Sequence, residues 1–135
     1  MEVTKKAEYA ISALLELAIN HGQFVSSKEI ALRRNIPRNF LPQIIAILGT
    51  EGWVEGVRGP GGGVRLVSDP DIITILDVLE LIEGPIALTR CLAGKGNCVN
   101  EGSCQLHPIW AKAQKAMIQV LTDITLADII EETAD

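Results

Sequence analysis

The chain has 135 residues, 47% of them hydrophobic, with a formal net charge of −5 and three cysteines. That length fits one domain and that apolar fraction supplies a core, which excludes an intrinsically disordered chain. The longest near-continuous apolar stretch, Tyr9 to Ile19, contains Glu16 and is too short to cross a bilayer, and the start of the chain lacks an apolar signal core.

From Thr4 to about Asn20 the residues Ala7, Ala10, Ile11, Leu14, Leu15 and Ala18 recur at three- and four-residue steps, which predicts an amphipathic helix. After a His21-Gly22 break, Ser26 stands three residues before Glu29, a capping-box pattern that opens a short second helix through Ile30, Ala31 and Leu32. Arg33-Arg34-Asn35-Ile36-Pro37 turns the chain. A third helix buries Phe40, Leu41, Ile44, Ile45 and Leu48 and stops at Gly49; Pro42 belongs in its first turn, so Asn39 is the expected N-cap. Trp53 to Val57 and Val64 to Val67 read as strands of a hairpin, with the glycine-rich Arg58-Gly-Pro-Gly-Gly-Gly63 as its cationic tip. A fourth helix is expected from Ile73 to Ile82.

The cysteines then arrive together. Cys91, Cys98 and Cys104 lie in one short loop, with six and five residues between them, and His107 follows three residues after the last. Cysteines used only as small buried hydrophobes have no reason to cluster, whereas thiolates in a loop suit a soft metal or an iron-sulfur cluster. A tetrahedral zinc held by three cysteines and His107 and a cluster with the same four ligands both fit this spacing. An odd cysteine count argues for a reducing, cytoplasmic setting in which thiols stay free.

Pro108 opens a last long helix with Ile109, Ala113, Ala116/Met117, Val120 and Leu121 in one stripe. Such a stripe either packs back on the first helix or forms a dimer interface, and the dimer is the preferred reading. Thr125 caps a short terminal helix. The fold class is therefore mainly α with a small β-hairpin: a winged helix-turn-helix followed by a long C-terminal dimerisation helix. Its expected divisions are a DNA-binding region over residues 1–84, a cysteine-rich loop over 85–107, and a dimerisation helix and tail over 108–135.

Charge is uneven along the chain: residues 1–70 carry eight Lys/Arg against seven Asp/Glu, and residues 71–135 carry four against ten. An acidic half can face away from a polyanion while cations of the first half meet it. The wing tip lacks the Lys and Ser/Thr of a nucleotide-binding P-loop, and no Ser/His/Asp or paired-carboxylate set points to a hydrolase, so the chain is read as a non-enzyme.

Lys6-Ala-Glu-Tyr-Ala10, Arg58-Gly-Pro-Gly-Gly-Gly63, Thr89-Arg-Cys91, Cys104-Gln-Leu-His-Pro-Ile-Trp110 and Asp123-Ile-Thr-Leu-Ala-Asp128 together resemble the Rrf2 family of winged-helix transcriptional regulators over nearly the whole chain. The His107-to-Trp110 segment is most similar to its branch of iron-sulfur cluster regulators. The resemblance implies a homodimer that binds a double-stranded operator and carries a 2Fe-2S or 4Fe-4S cluster on Cys91, Cys98 and Cys104. The fourth ligand would be His107, with Glu8 of the partner subunit as runner-up. The Cys91-to-Cys98 spacing is one residue longer than in that branch, and Pro42 replaces an acidic residue. Under this reading Arg38, Asn39 and Gln43 enter the major groove. Arg58, with Gly61 and Gly62, reaches the minor groove, and Ser27 and Lys28 hold phosphate. Two alternatives stay open: a winged-helix regulator with a zinc or thiol switch, and a helical adaptor with structural zinc.

Overall fold

The computed structural model describes residues 2–89, 92 and 105–134. Six helices and one hairpin follow in the order α1 (Lys5–Ile19), α2 (Ser27–Arg34), α3 (Leu41–Thr50), β1 (Val54–Val57), β2 (Gly63–Leu66), α4 (Ile75–Glu83), α5 (His107–Asp123) and α6 (Leu126–Ala134). Helix α1 is the central post. Its Ala10, Ala13, Leu14 and Leu17 are buried with Ile30 of α2, Leu41, Ile44 and Leu48 of α3, Val78 of α4 and Leu126 of α6. Small alanines on α1 let these four other helices approach it closely, on the apolar face that its periodicity predicts.

Local chemistry sets the boundaries. Thr4 caps α1 by accepting from Ala7 N–H at 3.2 Å, and Ser26 caps α2 by accepting from Glu29 N–H at 3.1 Å. Between them His21 and Gly22 both take positive φ, a conformation that ends α1 and turns the chain toward the hairpin. Asn35 ends α2 in the left-handed conformation. Three expected starts need correction. Asn39 is not the cap of α3: Phe40 occupies that position with helical dihedrals and no side-chain cap. A turn closed by Phe40 N–H donating to Pro37 O at 3.0 Å swings the Phe40 ring to 5.4 Å from that of Tyr9 on α1, so the chain winds before Asn39 is reached. Helix α4 begins at Ile75 rather than Ile73, because Thr74 and Asp77 form a reciprocal capping box. His107, not Pro108, is the first residue of α5.

The antiparallel hairpin pairs Val54 with Leu66, Glu55 with Arg65, Gly56 with Val64 and Val57 with Gly63. A third element joins it: Val25, just ahead of α2, exchanges two backbone hydrogen bonds of 2.8 Å with Val64. This bridge fastens the wing to the helix-turn-helix. Gly63 is required there, since its φ is +142° and a Cβ would strike Val25 O. A second bridge, Thr74 to Thr125, ties the starts of α4 and α6, with Ile75 N–H donating to Ile124 O at 2.9 Å and Leu126 N–H to Ile73 O at 3.0 Å. Thr125 and Asp128 cap α6 reciprocally, as Thr74 and Asp77 cap α4. The bridge explains why α6, rather than α5, lies on α1, while α5 packs against α4. Among the described residues no helix is long and apolar enough to cross a membrane.

Candidate nucleic-acid interface and cysteine loop

The first turn of α2 and the turn into α3 meet at a shallow cleft of about 270 Å³ lined by Ser27, Lys28, Arg38, Leu41 and Pro42. Three of the residues expected to touch DNA are thereby brought to one place. The first backbone N–H groups of a helix have no intrahelical acceptor and carry its positive dipole end, so a phosphate placed here meets amides, a hydroxyl and two cations. Asn39 and Gln43 are exposed, Asn39 in the turn and Gln43 on α3.

The wing places its cations differently. Arg65 is committed to the protein, its Nε donating to Glu55 Oε1 at 2.6 Å while its guanidinium lies 5.0 Å from the Phe24 ring centre. Arg58 is exposed at the tip. Gly59 and Gly61 there take positive φ, and a Cβ on Gly62 would meet Val57 O, so the tip tolerates no bulk at Gly62. That narrow, glycine-built ribbon leaves one long cationic side chain at its end, the shape that a minor groove admits.

Arg33 and Arg34, at the end of α2, both reach back to a carboxylate of α1. Glu16 of α1, only 8% exposed, accepts from Arg33 Nη1 at 3.0 Å, Arg34 Nε at 3.1 Å and Asn20 Nδ2 at 3.1 Å. Burial alone would raise the Glu16 pKa; hydrogen bonds from Arg33, Asn20 and Arg34, with the Arg34 charge, outweigh it and hold the carboxyl below its ordinary 4.5. Glu16 had registered only as a break in an apolar run, yet it anchors the end of α2 to α1 and so orients the helix-turn-helix. Because the folded-state pKa is depressed, the unfolded chain binds more protons in acid. The stabilisation is complete above pH 4.5 and is lost as pH falls through the folded value. Glu16→Gln is expected to lower stability by ~1–2 kcal/mol at neutral pH, half-exposed Arg33 keeping the loss modest, and to flatten the acid limb. Chemical denaturation at neutral pH and at about pH 3.5 measures both; an acid limb as steep in the variant as in the wild type would remove Glu16 as its source.

Cys91, Cys98 and Cys104 lie outside the described residues, as does the loop they define apart from Leu92. Its flanks are described. His107 opens α5, and its Nδ1 is buried with no hydrogen-bond partner among the described residues. A buried ring nitrogen normally finds a partner, so an orphaned one beside a cysteine loop fits a metal or cluster ligand. Glu8 is exposed in the first turn of α1 and pairs with Lys5 at 3.2 Å. Thr4 N–H and Oγ1 both donate to Glu83 Oε1, at 2.8 and 2.9 Å, which sets the start of α1 beside the end of α4, from which the chain runs into the loop. Among the described residues, no three His, Cys, Asp or Glu side chains gather as a metal site.

The profile of the Rrf2 family, described as iron-dependent transcriptional regulators, matches residues 3–132. The transcriptional regulator IscR of Klebsiella pneumoniae is 33% identical over 131 residues, covering 96% of this chain and 80% of its own. The solved structure of T. potens IscR superposes with a TM-score of 0.77 at 30% identity, covering 98% of this chain and 88% of that one. CymR, the global cysteine regulator of B. subtilis, gives a TM-score of 0.79 at 31% identity, with 98% of each chain covered.

Proposed function

The chain belongs to the Rrf2 family of transcriptional regulators, and from that premise we propose that it is a homodimeric, cytoplasmic DNA-binding regulator whose hold on its operator depends on an iron-sulfur cluster. Membership in a family of transcriptional regulators removes the helical-adaptor alternative, which dispensed with DNA. The observation that carries the cluster is the buried Nδ1 of His107, without a partner among the described residues, at the close of a sequence segment holding every cysteine of the chain. Cys91, Cys98, Cys104 and His107 would hold the cluster, and Glu8 of the partner subunit is the second choice for the fourth position. A bound cluster supplies a redox-active, oxidant-sensitive group whose gain or loss is the signal.

The chain's own residues do the rest. Residues 1–84 carry the DNA-reading surface, 85–107 the ligands, and 108–135 the proposed dimer helix. Ser27, Lys28 and the first amides of α2 take a phosphate. Arg38, Asn39 and Gln43 read the major groove, and Arg58, carried by Gly61 and Gly62, enters the minor groove. The ligand loop joins the end of α4, which is bonded to Thr4 of α1, to the start of α5. A change in the loop is thus placed to shift the two DNA-reading units of a dimer relative to each other.

The test is an anaerobic purification followed by a visible spectrum, since sulfur-to-iron charge transfer colours a cluster and zinc is colourless. A colourless protein with bound zinc would replace the cluster with the zinc alternative. A second expectation concerns the wing. Binding to a near-palindromic duplex should weaken steeply with salt as counterions are released, and Arg58→Ala should cost ~1–3 kcal/mol, read by fluorescence anisotropy at fixed salt. Wild-type affinity in Arg58→Ala would take the wing tip off the DNA.

A further inference from the structure

The chain approaching the cysteine loop is pinned to the helix that leaves it. Leu88 N–H donates to Gln114 Oε1 at 2.7 Å, a part-buried bond across 26 residues of sequence. Gln114 follows His107 by seven residues, almost two helical turns, so both side chains lie on one face of α5, ~10 Å apart along its axis. Leu88 precedes Cys91 by three residues, and three residues of extended chain also reach ~10 Å at most. The two ends of the loop are thus laid along the same helix face, one held at Gln114 and the other at His107 with its unpartnered Nδ1. Gln114 has no place in the DNA-reading surface, and a half-buried carboxamide in mid-helix needs a partner to offset its desolvation.

We propose that Gln114 is a positioning residue for the ligand loop: its carboxamide oxygen holds the Leu88 backbone, at the loop's entry, on the face of α5 that carries His107, and losing it loosens cluster retention while sparing DNA contact. This rests on the cluster reading above. Gln114→Leu keeps the size and removes the acceptor; Gln114→Glu keeps an acceptor; Gln114→Ala stands in should the leucine variant fold poorly. In cluster-free protein, hydrogen exchange at the Leu88 amide is expected to run about two- to tenfold faster in Gln114→Leu, the worth of one such bond, and at the wild-type rate in Gln114→Glu. In anaerobically reconstituted protein, visible absorbance should decay faster under an iron chelator in Gln114→Leu by a similar factor, again with rescue by Gln114→Glu. Duplex affinity of the cluster-free protein should be equal in all variants. Unchanged Leu88 exchange in Gln114→Leu overturns the proposal, and so does faster exchange with wild-type absorbance decay. A wild type that never acquires colour overturns the cluster reading and this proposal together, whereas a coloured wild type with an indifferent Gln114→Leu overturns this proposal alone.

Discussion

Serine in place of Cys91, Cys98 or Cys104 is expected to remove most of the visible absorbance of anaerobically reconstituted protein, one substitution at a time, with little change in thermal melting of the cluster-free chain. The first part follows from ligand softness. A thiolate forms polarisable, covalent bonds to iron, and a serine hydroxyl stays protonated at neutral pH and offers a hard oxygen, so three cysteines are not interchangeable with two and a serine. The second part follows from the packing. Among the described residues, Ala10, Leu14, Leu17, Ile44, Leu48, Val78 and Leu126 build a core from α1, α3, α4 and α6, on which the cluster-free fold is expected to rest. Full colour in any one of the three variants would remove that cysteine from the ligand set.

The fourth ligand gives the same experiment a finer edge. His107→Ala should shift the spectrum and make the cluster more labile without abolishing it, because water, a carboxylate or an added thiol can take a single vacant position. Glu8→Ala should leave the spectrum unchanged. His107 ranks first because its Nδ1 is buried and unpartnered beside the loop, whereas Glu8 is exposed and already paired with Lys5. Glu8 has one point in its favour: the Thr4–Glu83 bonds bring the start of α1 to the end of α4, near where the loop departs. If Glu8→Ala alone perturbs the spectrum, the ranking reverses and the start of α1 becomes part of the site.

Helices were readable where one face repeats and a capping residue precedes it, as at Thr4 and Ser26, because helical order is set within four residues of sequence. Ser27, Lys28 and Arg38 were named separately, two for phosphate and one for the major groove, and it is the packing of α2 against the turn into α3 that places them around one cleft. What escaped was non-local. Glu16 finds its arginines 17 and 18 residues away, on a different helix, and a carboxylate in an apolar stripe carries no mark of its partners. Val25 contributes one residue to the wing, too little for any alternation to announce. The Thr74–Thr125 bridge joins segments on either side of the cysteine loop, although the repeated Thr-x-x-Asp at Thr74 and Thr125 was available as a sign that two helices begin alike. Asn39 failed as a cap because the turn closed by Phe40 N–H on Pro37 O already winds the chain there, the turn that also sets the Phe40 ring against Tyr9.

Val120→Glu is expected to break the proposed dimer. Helix α5 has 17 residues and none of them is buried, with Ile109 55% and Val120 57% exposed. Ile109, Ala113, Met117 and Val120 fall on one stripe running most of its ~25 Å length. Helix α5 meets α4, and α6 takes the place on α1 that α5 would need in order to hide the stripe within its own chain. A second copy is the proposed occupant, since a two-fold axis would set the stripe against itself and supply a matching surface. Exposed Val120 makes glutamate cheap for the single chain and costly in the interface, where a carboxylate would lose its water without gaining a partner. A loss of at least ~2 kcal/mol, about thirtyfold in dissociation constant, is the scale for a central interface residue. Light scattering and analytical ultracentrifugation at micromolar concentration should show a dimer for the wild type and mostly monomer for Val120→Glu, with near-equal melting of the monomeric fold. Ile109→Glu, at the other end of the stripe, should act in the same direction. A dimer that survives both substitutions would place the interface elsewhere and leave α5 as a support for the ligand loop alone.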